Sequence, residues 1–228
     1  MKKYVLWDVD GTLLLNGPRA GSLYDEAIEY VAGIETGGVR PAEHGKVDGQ
    51  IIAERLAEYG LDADLHDAVT ERLEQLAQER HSGPDRREVA PGVRDALEAV
   101  AAAGWTNALL TGNSRVRAQA KLSGAGLEPD LFDWDSSFFG DRARARTEVT
   151  AAAAVALGEH PHVIVGDTPS DDWAAAEAGI PFIAVATGIY PAEDLRKTGA
   201  LAVLDDLVRG RDALLAELER LGSLTPSP

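Results

Sequence analysis

Two aspartates stand two residues apart in the segment WDVDGTLLLNG, residues 7–17. Because side chains at positions i and i+2 of a strand point to the same side, Asp8 and Asp10 are expected to bring their carboxylates together. Gly11 then permits a sharp turn. Such a pair can hold a divalent cation, or one carboxylate can act as a nucleophile while the other moves protons. The segment therefore predicts a reactive or metal-binding site at the end of a strand.

A second polar segment, TGNS at residues 111–114, ends the apolar run 105–110. A hydroxyl and backbone N–H groups at a strand-to-helix turn can bind an anion, so Thr111 and Asn113 are candidate anion ligands. The same four residues are also typical of an ordinary turn and helix N-cap. Both interpretations stay open at this point.

Further acids follow a third apolar run, residues 162–165, which ends in glycine and then Asp167. Asp171 lies on the turn after it. Acids crowd together in this way when a cation neutralises them, so Asp167 and Asp171 are candidate metal ligands beside Asp8. The alternative is that Asp171 or Asp172 caps the next helix.

Alternating strands and helices would bring these three segments to one rim. Apolar, β-branched runs predict five strands, and patterns of helical period separate them. This alternation predicts an α/β fold with a doubly wound parallel sheet, in which ligands bind outside the carboxyl ends of the strands. The predicted strands are 3–9, 105–110, 162–165, 182–186 and 201–204, and the predicted helices are 93–103, 115–122, 147–157 and 171–178.

Residues 16–88 interrupt this alternation with three segments of helical period, 22–31, 49–59 and 64–80. Asp48 is expected to cap the second of these helices. We predict a helical cap domain over 16–88, inserted into a core domain formed by 1–15 and 89–222, with a disordered tail at 223–228. Because it is inserted near the predicted rim, such a domain is expected to act as a lid.

The composition excludes several classes of function. The 228 residues include 22 basic and 38 acidic residues, a net charge of −16, and no cysteine. Such a surface repels nucleic acid and anionic membranes, so neither is expected as a partner. Without cysteine there is no disulfide and no thiolate chemistry, and the short apolar run after the first lysines leads us to expect no signal peptide. We expect a cytoplasmic monomer or homodimer.

The order Asp8-x-Asp10-Gly-Thr-Leu, Thr111-Gly-Asn, Gly-Asp167-x-x-x-Asp171 resembles the haloacid dehalogenase (HAD) superfamily over nearly the whole chain. The insertion after the first motif is similar to that family's C1-type helical cap, as in phosphoglycolate phosphatases. The resemblance implies a Rossmann-like core with strand order 5-4-1-2-3 and a mobile cap.

The resemblance also implies a mechanism. Asp8 would be the nucleophile that forms an aspartyl-phosphate, and Asp10 the general acid and base. Mg²⁺ would bind Asp8, the backbone carbonyl of Asp10, Asp167 and Asp171, and the phosphate would bind at Thr111 and Asn113. Dehalogenases of the superfamily lack an acid at the position of Asp10, so a phosphatase is favoured.

One motif departs from the family pattern, because the lysine usually found ahead of the last motif is missing. Arg146 precedes a Glu-Val pair and is the favoured replacement, although Arg144 fits the spacing about as well. Arginine can pair with both carboxylate and phosphate, so the exchange is chemically reasonable. Lys121, in the helix after Thr111, is expected to face solvent.

These residues predict a Mg²⁺-dependent phosphatase acting on a small phosphorylated metabolite, as phosphoglycolate phosphatases do. In the segment RPAEHGKVDGQ of the cap, Arg40 and Lys46 are candidate contacts for the substrate. The alternatives are a phosphomutase resembling β-phosphoglucomutase and a non-catalytic protein that binds phosphorylated metabolites.

Overall fold

The computed structural model describes residues 1–17, 22–37, 43–83 and 86–223. Its centre is a five-stranded sheet in which every pairing is parallel. The predicted α/β class is therefore confirmed. The strands are β1 (Tyr4–Trp7), β2 (Thr106–Leu109), β3 (His162–Gly166), β4 (Phe182–Val185) and β5 (Val203–Leu204).

The order across the sheet is β2-β1-β3-β4-β5, whereas the family resemblance implies 5-4-1-2-3. The difference arises next to β2, where a single parallel bridge joins Leu110 to Phe138 in place of a full strand. Phe138 donates its N–H to Leu109 at 2.8 Å and accepts the N–H of Thr111 at 3.1 Å. If this bridge is counted as the third strand, the next two become the fourth and fifth, and the implied order holds with β5 as an additional edge strand.

Helices cover both faces of the sheet, because alternate strand residues point to opposite sides and both sets are apolar. The helices are α1 (Ser22–Ala32), α2 (Asp48–Glu58), α3 (His66–His81), α4 (Val93–Ala102), α5 (Arg115–Gly124), α6 (Arg146–Leu157), α7 (Pro169–Ala178), α8 (Ala192–Leu195) and α9 (Arg211–Ser223). In β1, Val5 and Trp7 join the hydrophobic cluster under α4, α5 and α9, while Tyr4 and Leu6 join the one under α6, α7 and α8. The sheet is thus doubly wound.

Helices α1, α2 and α3 form the insertion between β1 and α4. They share a hydrophobic cluster of their own, which includes Ile28, Ile52 and Leu73. The boundaries of a cap domain at 16–88 stay a prediction. Of the predicted tail 223–228, Ser223 is the last residue of α9, and residues 224–228 lie outside the described residues, as does Arg40. Among the described residues, no helix combines the length and the apolar character that crossing a membrane requires.

Two expectations about helix ends are wrong. Asp48 does not cap α2: the N-cap is Val47, with extended backbone, and Asp48 is the first helical residue. Its carboxylate instead contacts Arg117 and the backbone of Ser114. Helix α7 begins at Pro169, because Thr168 caps it in a capping box with Asp171. Asp172 instead accepts a hydrogen bond from the backbone of Gly199.

Candidate active site

The turn after β1 brings Asp8 and Asp10 to the carboxyl rim of the sheet. Asp8 continues the strand pairing by donating its N–H to Val165 at 2.9 Å, and its side chain is buried. Gly11 turns the chain with a φ of 89°, in the left-handed region that favours glycine. A Cβ at this position would also overlap the carboxylate of Asp167. The turn therefore keeps the first motif in close contact with the third.

Three carboxylates gather at this rim. Oxygen atoms of Asp8, Asp167 and Asp171 lie within 4.8 Å of one another, and all three residues are buried. Oδ1 of Asp167 accepts a hydrogen bond from the Thr12 hydroxyl at 3.1 Å, whereas Oδ2 is buried without a partner among the described residues. Burial and the neighbouring acids raise the pKa of Asp167 well above its usual value. An all-oxygen donor set with an unsatisfied buried oxygen fits a hard divalent cation.

Arg146 supplies the positive charge within this cluster. Its Nη2 lies 3.1 Å from Oδ1 of Asp8 and 2.9 Å from Oδ1 of Asp171, and it also donates to the carbonyl of Leu110 at 2.9 Å. The Arg144 guanidinium instead donates to the carbonyl of Gly49 at 3.2 Å. Of the two arginines that the sequence left open, Arg146 is the one beside Asp8.

The pKa of Asp8 responds to opposing influences. Burial raises it most, Arg146 lowers it, and the negative charges of Asp171 and Asp10 raise it further, to about 7. The crowded acids thus disfavour the charged form of Asp8 in the protein without a metal ion. A bound divalent cation would remove this constraint by neutralising the acids.

Asp10 faces a second set of cations. Its Oδ1 accepts from Arg87 at 3.1 Å, and its Oδ2 accepts from Lys121 at 2.5 Å and from the Asn113 amide at 2.8 Å. Burial alone would raise the pKa of Asp10, but Lys121 and Arg87 outweigh it and hold the pKa well below the usual value. Asp10 is thus a carboxylate in this arrangement, in contrast to its neighbour Asp8.

The expectation that Lys121 faces solvent is wrong. Lys121 is only 4% exposed, and its ammonium also donates to Oδ1 of Asn113 at 2.6 Å. The reason is its phase on α5: it lies seven residues, two helical turns, after the N-cap Ser114, and so shares the face that looks onto the rim. Burial lowers the pKa of Lys121 to about 8, although Asp10 opposes this.

The TGNS segment is largely engaged in bonds within the protein. The Thr111 hydroxyl accepts from the Asn113 amide at 2.8 Å, and the Ser114 hydroxyl caps α5. The backbone N–H of Ser114 donates to Asp48 at 2.8 Å. Thr111 and Asn113 both line the cleft, but the Asn113 side chain also spans Thr111, Asp10 and Lys121.

The insertion and the core border a cleft above the acids, and loop residues 43–46 line it on the side of the insertion. Lys46 lies there, but its ammonium pairs with Glu43 at 3.0 Å and Glu54 at 2.5 Å. His44 also lines the cleft, and burial lowers its pKa, so it is neutral at pH 7. The cleft thus lies between this loop and the carboxylates.

A buried ion pair joins the insertion to the core. Asp48 of α2 contacts the guanidinium of Arg117 on α5, and each side chain is 3% exposed. The Tyr24 hydroxyl donates to Asp48 at 2.7 Å, and Arg117 donates to the same hydroxyl at 3.0 Å. The Asp48 carboxylate thus meets donors from both sides of the cleft.

Main-chain contacts continue this junction, which we call the seam: the backbone of 46–49 against 112 and 140. Asp48 donates its N–H to Gly112 at 2.7 Å, and Gly49 donates to Gly140 at 2.9 Å. A Cβ at Gly112 would lie 2.5 Å from the carbonyl oxygen of Lys46. The two backbones therefore touch directly.

The sequence analysis did not identify Arg87 as a site residue. It predicted that Lys121 faces solvent and that Asp48 is the N-cap of a helix. No local pattern marks these residues, since Lys121 and Arg87 lie 111 and 77 positions from Asp10 along the chain. The available signal was the helical spacing of Ser114, Arg117 and Lys121, which places three polar residues on one face of α5.

The sequence of the chain also matches known proteins. The family model for haloacid dehalogenase-like hydrolases matches residues 2–179. A phosphoglycolate phosphatase of Rhodospirillum rubrum is 30% identical over 220 residues, which are 90% of this chain and 88% of that protein.

Solved structures share the fold. A predicted phosphatase from Clostridium acetobutylicum superposes with a TM-score of 0.70 at 17% identity, over 95% of this chain and 99% of that one. CbbY from Rhodobacter sphaeroides, in complex with phosphate, gives 0.67 at 21% identity, over 92% and 96%. With its family motifs gathered at one rim and a family model matching most of its length, the chain belongs to the haloacid dehalogenase-like hydrolases.

Proposed function

We propose that this protein is a Mg²⁺-dependent phosphatase that hydrolyses a small phosphorylated metabolite through an aspartyl-phosphate, as its phosphoglycolate phosphatase relatives suggest. The observation that carries the proposal is that two neighbouring acids have different charged partners. Asp8 lies against Arg146 and two further carboxylates, whereas Asp10 is held apart by Arg87 and Lys121. Two acids in such different surroundings suit two different roles.

The reaction proceeds in two displacements. An oxygen of Asp8 attacks phosphorus, the bond to the leaving oxygen breaks, and Asp10 gives that oxygen a proton. A water then attacks the phosphorus of the aspartyl-phosphate, Asp10 takes the proton of this water, and inorganic phosphate leaves as Asp8 is restored. Because Asp10 is ionised in the ligand-free protein, a phosphomonoester bound as its monoanion would supply the proton for the first displacement, and the proton that Asp10 takes from the water would leave with inorganic phosphate.

Asp8, Asp167, Asp171 and the backbone carbonyl of Asp10 would hold the Mg²⁺ ion. The support is the buried, unpartnered Oδ2 of Asp167 and the close set of carboxylates around it. When bound, the ion supplies positive charge that offsets the charge of the phosphate and the acids. Arg146 contributes a fixed positive charge beside Asp8.

The insertion is proposed to act as a cap that selects the substrate. The cleft is bordered by both the insertion and the core, which favours a small molecule over a polymer. Lys46 is our candidate for an anionic group on the far side of the phosphate, and Arg40, on the same segment, is the second candidate. A cytoplasmic monomer or homodimer, with Thr111 and Asn113 next to the bound phosphate, completes the proposal.

The test is release of phosphate from p-nitrophenyl phosphate and 2-phosphoglycolate, with Mg²⁺ and with a chelator. We expect turnover that requires Mg²⁺ and is abolished in Asp8→Asn. Asp212→Asn is the matched control, because its carboxylate is 91% exposed and far from the rim in sequence. Turnover that survives in Asp8→Asn would refute the nucleophile assignment. Conversion of glucose 1-phosphate to glucose 6-phosphate in the presence of the corresponding glucose bisphosphate would favour the phosphomutase instead.

A further inference from the structure

The carboxylate of Asp10 is held from two directions by residues that the family motifs do not include. Arg87 reaches Oδ1 at 3.1 Å from the segment that returns from the insertion to the core. Lys121 reaches Oδ2 at 2.5 Å from α5. Both oxygens therefore have a charged donor, and the plane of the carboxylate is fixed.

Each of these cations is itself anchored. Arg87 also donates to the carbonyl of Leu15, the last residue of the first predicted core segment, at 3.3 Å. Lys121 also donates to Oδ1 of Asn113 at 2.6 Å, and the Asn113 amide returns to Asp10. Asp10, Asn113 and Lys121 thus form a closed ring of hydrogen bonds, which restricts how far any one of them can turn.

Burial of the Lys121 ammonium group costs free energy unless its charge interacts with an acid. Its side chain is 5% exposed, and taking an ammonium group out of water carries a large desolvation penalty that an apolar side chain would avoid. The aliphatic part of the side chain packs on the same helix face as Ala118 and Leu122, which are buried. A methionine would serve for packing, so the charge itself needs an explanation.

We infer that Lys121 and Arg87 are positioning residues for Asp10: they hold its carboxylate in the orientation from which it exchanges a proton with the leaving oxygen and the attacking water. This inference rests on the proposed phosphatase function. Neither residue needs to touch the substrate. Without Lys121, Oδ2 of Asp10 keeps only the Asn113 amide, and the carboxylate can rotate out of line.

The leaving group gives a test specific to this role. Phenyl phosphate and p-nitrophenyl phosphate have nearly the same shape, but p-nitrophenolate departs readily without a proton and phenolate does not. The ratio of kcat/KM for the two substrates therefore reports how well Asp10 delivers its proton. A residue that only stabilises the fold would change both values by the same factor.

We expect Lys121→Met to lower kcat/KM for phenyl phosphate about 100-fold and for p-nitrophenyl phosphate less than about 10-fold. Lys121→Arg keeps a cation and is expected to recover part of the ratio. Lys197→Met is the matched control, because Lys197 also pairs with an aspartate but is 66% exposed. Circular dichroism checks that each variant folds.

The outcomes separate this inference from the function on which it rests. An equal loss with both substrates in Lys121→Met would overturn the positioning role while leaving the phosphatase intact. If that variant does not fold, Arg87→Met, which frees the other oxygen of Asp10, carries the same expectation and the same refutation. Absence of Mg²⁺-dependent turnover in the native protein, with these esters and with 2-phosphoglycolate, would overturn the proposed function itself.

Discussion

Replacing Asp48 with asparagine should destabilise the protein far more than a change on its surface. The substitution keeps the shape of the side chain and an oxygen for the N–H of Ser114, but it removes the negative charge that faces Arg117. The charge of Arg117 would then remain buried, with the Tyr24 hydroxyl as its remaining polar contact in this cluster. Asp48→Asn therefore tests the contribution of charge to the contact between Asp48 and Arg117.

The burial of the pair sets the magnitude. Both side chains are 3% exposed, so water cannot replace the lost partner. Breaking a buried ion pair by removing one member typically costs about 3 to 5 kcal/mol. Because asparagine keeps some of the hydrogen bonds, we expect a loss near the lower limit, about 3 kcal/mol in the free energy of unfolding. Arg117→Met removes the other charge, and the double variant should lose much less than the sum of the two.

Urea unfolding with linear extrapolation measures these differences. Asp194→Asn is the control, since its pair with Lys197 is exposed, and such pairs contribute little. A loss below about 1 kcal/mol in Asp48→Asn, or additive effects in the double variant, would refute the reasoning, because two charges in contact at a buried site must show coupling.

Three further predictions concern Arg146, the contact of Gly188 with Asp167, and the effect of His81 on stability. Arg146→Met should lower kcat by about 100- to 1000-fold in the p-nitrophenyl phosphate assay, because Asp8 loses the guanidinium beside it, and Arg146→Lys should recover part of this loss. Gly188→Ala should raise the Mg²⁺ concentration needed for half-maximal activity, because the added Cβ would overlap the carboxylate of Asp167. Burial lowers the pKa of His81 from 6.5 to about 4, so below pH 6.5 the unfolded chain binds the proton that the folded protein refuses. Stability should therefore fall by roughly 2 kcal/mol between pH 7 and 5, as measured by urea unfolding. His81→Gln should remove this part of the fall, and an unchanged fall in that variant would contradict the assignment.

The sequence was informative where a residue's role follows from its neighbours in the chain. The acids at Asp8 and Asp167 each end an apolar run, and an apolar run buried in a parallel sheet ends at a predictable rim. The helix that begins at Arg146 was predicted to within one residue. These features depend on local pattern and on the topology of alternating strands and helices.

Long-range partners could not be predicted in the same way. A charged residue on a helix is normally assigned to the solvent face, and that rule failed for Lys121 because the insertion and Asp10 together bury it. Asp48 ahead of a helical pattern suggests an N-cap, but its partners Tyr24 and Arg117 lie 24 and 69 positions away. The identity of such a partner depends on the assembled fold.

The seam has a consequence for how this enzyme can diversify. It is built from backbone atoms, such as the N–H of Asp48 and the carbonyl of Gly112, so its geometry does not depend on the side chains at positions 44 and 46. Those two positions line the cleft next to it. Mutation can therefore alter the chemistry presented to the ligand while the fit between the two halves stays the same. An enzyme with this construction can acquire new substrates by point substitution, without rebuilding the seam.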